Sequence, residues 1–274
     1  MTKNLHLPAA LAGAIAIGGL LSPQAFQIGA TARPILTSEQ REILSHLSIV
    51  QLPDGQGGTV KTIRVEAANL QIVNGAGSTA TKNGLGNLIV GYNETGASFG
   101  DDRTGSHSVA IGEKNTYSSW GGLVAGFENS AVGPFSAVSG GTLNRATGIS
   151  SSVSGGENGV AFGDQSSISG GWENQAGGLR ASVSGGRQGS ASGNFASISG
   201  GFINQASANY ASVAGGSDNV AAGVGSSIVG GTLNFVSAGS AAILGGSSNR
   251  ALAATSAITG GCNQEASIPC QVGP

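Results

Sequence analysis

Residues 151–210 read SSVSGGENGVAFGDQ, SSISGGWENQAGGLR, ASVSGGRQGSASGNF and ASISGGFINQASANY. Aligned this way, the second glycine of each Gly-Gly pair falls at 156, 171, 186 and 201. The same phase runs outward to Gly141 on one side and to Gly216, Gly231, Gly246 and Gly261 on the other. Gly126 fits it as well, with Ala125 in place of the first glycine. Three residues before these glycines stand Leu123, Val138, Val153, Ile168, Val183, Ile198, Val213, Ile228, Ile243 and Ile258. Three residues after them stand Asn129, Asn144, Asn174, Asn204, Asn219, Asn234 and Asn249, with Gly159 and Gly189 interrupting. Five after them the residue is alanine, from Ala131 to Ala251, with Val236 as the exception. A phase kept over so many copies is the signature of a solenoid.

A fifteen-residue period is too short for a helix pair. Two short strands per coil fit it, giving an all-β, parallel β-solenoid. In the first strand, [AS]-S-[VI]-S-G, alternation sends the β-branched residue inward and the neighbouring serines outward. In the second, N-x-A-x-G, the asparagine, alanine and glycine point inward. The Gly-Gly and x-x positions become corners, where glycine reaches positive φ without steric cost. Stacked asparagines are expected to bond along the axis as a structural ladder.

The composition agrees. Of 274 residues 49 are glycine and only 9% are charged, against about a quarter in ordinary domains. The mean hydropathy is slightly positive, which separates the chain from charged, disordered sequences. Its formal charge of −2 offers no basic field for nucleic acid. Three histidines (His6, His46, His107) and two cysteines leave few parts for a metal cage, and no cofactor is expected.

Outside the repeats the chain divides into further segments. Residues 1–32 read as a bacterial-style signal peptide. Leu7–Leu21 is uncharged but short of the ~20 residues of a membrane span, and Ala30-Thr31-Ala32 offers a cleavage site, with Ala25 a second one. Export to the surface or medium follows, with no transmembrane helix after cleavage. Residues 33–68 read as an N-terminal cap for the open end of the stack. Thr37 and Gln40 make a capping box for a helix over 38–47, and Pro53-Asp54-Gly55 turns between strands 48–52 and 59–66. The repeats occupy 69–261. Early first strands 87–91, 108–112 and 122–126 are spaced by 21 and 14, so Glu94–Gly105 is expected to bulge from a corner as a solvated loop. Its Asp101-Asp102 pair lacks the spaced acids of a calcium loop. Residues 262–274 form a C-terminal tail, where Cys262 and Cys270 are the candidate disulfide of an exported chain.

Ser108-Val109-Ala110-Ile111-Gly112 resembles the SVAIG core of the head repeats of YadA-type trimeric autotransporter adhesins. The later units are similar to looser versions of it. The resemblance covers about 69–261 and implies a left-handed parallel β-roll, a homotrimer, and adhesion to a host, matrix or cell-surface ligand. Two departures stand out. The Ile111 position reads as glycine or alanine in later coils (Gly140, Gly155, Gly170), and neither a coiled-coil stalk nor a C-terminal membrane barrel is recognisable.

Two surfaces are candidates for contact. Phe127, Trp172, Arg187 and Phe202 share one corner row, and Phe135, Phe195 and Tyr210 share the other. They serve either as adhesive contacts or as covers for the ends of the thin core. The outward serines of strand one, from Ser152/Ser154 to Ser197/Ser199 and grading into Ala214, Val229 and Leu244, make either a homo-oligomer interface or a hydrated face. The leading expectation is a non-catalytic, secreted or surface-exposed structural or adhesin-like protein. An ice- or crystal-binding solenoid is the alternative, although serine and alanine rows replace the usual threonine. A solenoid carbohydrate-active enzyme is a further one, for which Glu157 and Asp164 are the nearest carboxylates in one coil. A phage-like fibre conflicts with the signal peptide.

Overall fold

A computed structural model describes residues 36–273. The signal-peptide reading of 1–32 lies outside the described residues. The chain forms two compact units divided after Leu70, and each is taken by itself.

In the first unit, α1 (Ser38–Ser45) starts on the expected capping box. The Thr37 hydroxyl accepts the Gln40 N–H at 3.1 Å, and the Gln40 side chain accepts the Thr37 N–H at 3.0 Å. The helix stops two residues early, because His46 caps it and Leu47 already opens a strand. β1 (Leu47–Pro53) and β2 (Thr59–Val65) pair antiparallel, Val50 opposite Thr62. Asp54 makes the turn, its carboxylate accepting the N–H groups of Gln56 and Gly58. His46 is a hairpin closure: its Nδ1 lies 2.9 Å from the Glu66 carbonyl.

The second unit is the solenoid, nearly all β. One sheet of 13 strands runs from Leu88–Val90 to Val272–Gly273, and another of 11 runs from Thr116–Tyr117 to Glu265–Ala266. Each strand pairs in parallel with its equivalents one coil before and after, as Ser182↔Ser197 and Val183↔Ile198 do. The alternation holds. Val153, Ile168, Val183 and Ile198 are buried together with Ala161, Ala176, Ala191 and Ala206, while Ser154, Ser169, Ser184 and Ser199 are exposed. Val236 is fully buried in the alanine row. The inside of each coil is one branched side chain facing alanine, asparagine or glycine, which is why small residues dominate the composition.

The second glycine of each pair is required twice over. Gly216 has φ +85°, and a Cβ there would press on the backbone of Gly231 in the next coil. The asparagine row is bonded along the axis. The Asn219 Nδ2 donates to the carbonyls of Gly215 (3.0 Å) and Gly231 (2.9 Å), and its Oδ1 accepts the Asn234 N–H (3.1 Å). The row also begins earlier than expected. Asn93 accepts the Asn115 N–H, and Asn115 accepts the Asn129 N–H. The Gly91-Tyr92-Asn93 and Gly112-Glu113-Lys114-Asn115 segments carry this signal in sequence.

Four expectations are corrected. The fifteen-residue phase does not reach back to Leu123: Val124 pairs with Val138 and is buried, while Leu123 pairs with Ala137 and faces outward. Two residues separate Val124 from Phe127, but three separate Val138 from Thr142, the bridge partner of Phe127. The coil thus grows from 14 to 15 residues at that corner. By the same register the column of Ile111 passes through Ala125 to the outward serines, not to Gly140, and Ile111 itself is exposed. Residues 262–274 are not a tail, since Glu265–Ala266 and Val272–Gly273 continue both sheets. Finally, Cys262 and Cys270 are free and exposed, with no bond between them, because they occupy opposite corner rows of the last coil.

Candidate functional site: two corner rows

Each coil turns through residues held at positive φ beside the glycine. Leu143, Asn158, Glu173 and Gln188 do so at one corner; Phe135, Ser150, Gln165, Arg180, Phe195 and Tyr210 do so at the other. A turn of this kind projects its side chains away from the core, and axial bonding holds them one above another.

The first corner carries a ladder of parallel single-residue bridges: Phe127, Thr142, Glu157, Trp172, Arg187, Phe202, Ser217, Thr232, Ser247 and Cys262. The backbone N–H of Trp172 donates to the Gly186 carbonyl at 3.0 Å, and that of Arg187 to the Gly201 carbonyl at 2.9 Å. The Arg187 guanidinium carbon lies 4.2 Å from the Trp172 ring centre and 5.3 Å from that of Phe202. These three residues from successive coils form one aromatic–cation–aromatic stack. Phe127, at the start of the ladder, lies under Lys114 at 5.3 Å.

The second corner is tied coil to coil by bonds such as Phe195 N–H to Leu179 and Tyr210 N–H to Asn194, both 2.8 Å. Phe195 and Tyr210 stack with ring centres 5.0 Å apart and planes 4° from parallel. Arg180 sits over Phe195 at 5.6 Å and bonds to Gln165 at 2.6 Å. Phe135 stands alone, five coils away from Tyr210. None of these aromatics belongs to the buried cluster. The fold therefore brings Trp172, Arg187 and Phe202 together, and Phe195 with Tyr210, but leaves Phe127 and Phe135 apart from both groups. Arg180 was absent from the sequence candidates, and its 15-residue spacing to Phe195 was the available signal.

The acids are spread out. Glu157 lies on the first corner, whereas Asp164 lies near the second and accepts the Ile149 N–H at 2.9 Å. Glu173 accepts a bond from Gln188 at 2.8 Å, and Asp218 one from Ser217. His107 is a structural tie whose Nε2 accepts the Asn74 N–H at 3.2 Å while Nδ1 meets the Thr79 carbonyl.

The 94–105 loop is solvated as expected, most of its residues being exposed, but it does not stand free of the sheets. It folds against the second sheet, where Phe99 packs under Arg145 at 4.9 Å and Ser98 bonds to Glu128. Asp101 accepts the N–H groups of Gly96 and Ala97, and Asp102 accepts the hydroxyl and N–H of Thr104. Those bonds hold Asp101 and Asp102 below the ordinary aspartate value of 3.8, and the Ser98 bond, helped by Lys114, holds Glu128 below 4.5. A carboxylate depressed in the folded state stabilises it above the unfolded value, and that contribution is lost as pH falls through the folded value. The loop is therefore expected to loosen in acid, beginning below 4.5 and 3.8 and completing beneath the depressed values. The Gly96 and Ala97 amide resonances should report it, and a midpoint at or above the ordinary aspartate value would contradict it.

Fold and surface together define a β-solenoid repeat protein. Among the described residues no helix is long and apolar enough to cross a membrane. No family model matches the chain, and no curated protein matches it.

Proposed function

We propose that this chain is a non-catalytic, exported rod of the adhesin type, similar in plan to YadA-type head repeats. It presents ligand contacts along its corners. The observation that carries this reading is the Trp172–Arg187–Phe202 stack. Tryptophan and arginine dominate binding hot spots, and here an exposed Arg187 and a half-buried Trp172 sit on a backbone bonded to both neighbouring coils, so little entropy is lost when a partner docks. The leader read in residues 1–32 supports export. The strand-one face supports self-association into a trimer: its middle is serine, and its ends expose Leu88, Val90, Val229 and Leu244.

Beads coated with the purified protein should adhere to matrix or cell surfaces. The Trp172→Ala/Phe202→Ala/Tyr210→Ala variant should lose most of that adhesion while keeping its β circular dichroism. Wild-type beads that adhere nowhere would end the adhesive reading. Sedimentation as a monomer at micromolar concentration would remove the trimer.

A further inference from the structure

Beside the first corner runs a groove of about 530 Å³. Its walls carry Asn158, Glu173, Gln175, Gln188, Ser190 and Gln205. The residues come from four successive coils, so at about 4.8 Å per coil the groove extends ~14 Å along the axis. It is concave because Ser190 is short while Gln175 and Gln205, one coil to either side in the same column, are long. Most of its side chains are uncharged hydrogen-bonding groups, amides and a hydroxyl that both donate and accept, beside the Glu173 carboxylate and a single apolar residue, Ile203. Gln188 is positioned by its bond to Glu173. Such a lining suits a row of hydroxyl and acetamido groups better than an apolar ligand.

Arg187 directly precedes the groove residue Gln188 in the chain and stands on the first-corner ladder. The Trp172 and Phe202 rings flank its guanidinium, and among the described residues it has no side-chain hydrogen bond or ion pair. Arg180, Arg145 and Arg250 also lie over rings, but each over a single one, and Arg180 is bonded to Gln165. With the faces of Arg187 occupied, its N–H edge is the part left for a ligand, and that edge matches a carboxylate in two-bond geometry. Glu157 and Glu173 stand in the coils just before it. A densely charged polyanion would meet their repulsion, whereas a chain with widely spaced carboxylates would not.

We infer that this groove and Arg187 form a binding site for an acidic polysaccharide in which carboxylate sugars are separated by neutral ones. The site rests on the adhesive reading and names its ligand class. The glycan lies along the axis, its hydroxyls on the glutamine and asparagine amides and one carboxylate on Arg187.

Hyaluronan oligosaccharides, which alternate glucuronate with a neutral acetamido sugar, are the probe. Calorimetric titration of the full chain should show binding. Arg187→Gln should weaken it about tenfold or more, the usual loss for a charge-assisted bond. Carboxyl-reduced oligosaccharides should bind the wild type as weakly. Arg250→Gln, three coils beyond Gln205 along the axis, should change nothing. No binding by wild type, or equal binding by Arg187→Gln with its circular dichroism intact, would overturn the site. Polygalacturonate or DNA binding better than hyaluronan would do so too. Coated beads separate the two readings. Adhesion that hyaluronan does not compete and Arg187→Gln does not weaken removes this site and leaves the adhesive reading. Oligosaccharide binding without bead adhesion does the reverse.

Discussion

Gly216→Ala is expected to destabilise the solenoid by about 2–5 kcal/mol. A left-handed conformation costs an L-residue about 1–2 kcal/mol, and overpacking adds about 1–3 kcal/mol. Both apply here. Gly216 has φ +85°, and its new Cβ would lie 2.6 Å from Asn219 Nδ2 and 2.9 Å from the Gly231 nitrogen, against the Gly231 carbonyl as well. That carbonyl already accepts the Ser217 N–H at 3.0 Å and the Asn219 amide at 2.9 Å. The clash can be relieved only by spreading two coils and weakening both bonds. Gly215→Ala is the internal control. Nothing lies within 4 Å of its Cβ position, and its φ is outside the left-handed region, so it should be close to neutral or slightly stabilising. Urea unfolding of both variants decides the matter, and equal midpoints would refute the argument. Since each coil contacts only its neighbours, Gly216→Ala should also divide a single transition into two.

Asn219→Ala should cost about 2–4 kcal/mol. The Asn204–Asn249 segment is the longest unbroken run of the fifteen-residue ladder, between the gap at Gly189 and the end of the row at Gln264. Removing the amide leaves the buried Asn234 N–H without its acceptor and the Gly215 carbonyl without that donor. A buried group stripped of its partner costs about 1–3 kcal/mol. Gly231 keeps its bond from Ser217, which sets the upper end. Asn209→Ala tests the cause, because Asn209 makes a similar bond to the Asn194 N–H at an exposed corner. Water replaces that bond, so the loss should stay under about 1 kcal/mol. If the two variants lose equal stability, burial of the ladder is not what gives it strength.

Much of this is legible in the sequence. Val153, Ala161 and Asn144 declared their inward positions through a two-residue alternation within a fifteen-residue period, and the capping box of α1 was explicit in Thr37 and Gln40. The misreadings of Leu123 and of the Ile111 column share one cause. Counting back from Gly126 puts Leu123 in the core row, but counting assumes a constant coil length, and the coil gains a residue between Val138 and Thr142. Composition cannot distinguish Leu123 from Val124 as the inward residue; only the pairing partner can. Cys262 and Cys270 seemed near in sequence, yet eight residues are half a coil, which carries the chain from one corner to the other.

The corner rows show the same division. Their phases were readable, so Trp172, Arg187 and Phe202 could be placed on one line, as could Phe195 and Tyr210. That the guanidinium of Arg187 is flanked by two rings, that Arg180 is engaged by Gln165, and that a groove of amides opens beside the first row depends on side-chain contacts between coils. The sequence by itself determined the period, the inner and outer faces and the need for glycine at the corners, because those follow from backbone sterics and burial within a single coil. The tertiary structure decided the register at the change of coil length, the folding of the 94–105 loop onto the second sheet and the groups gathered around Arg187. Those depend on which residues meet across 14, 15 or more positions of chain, a relation that stacking creates and local pattern does not contain.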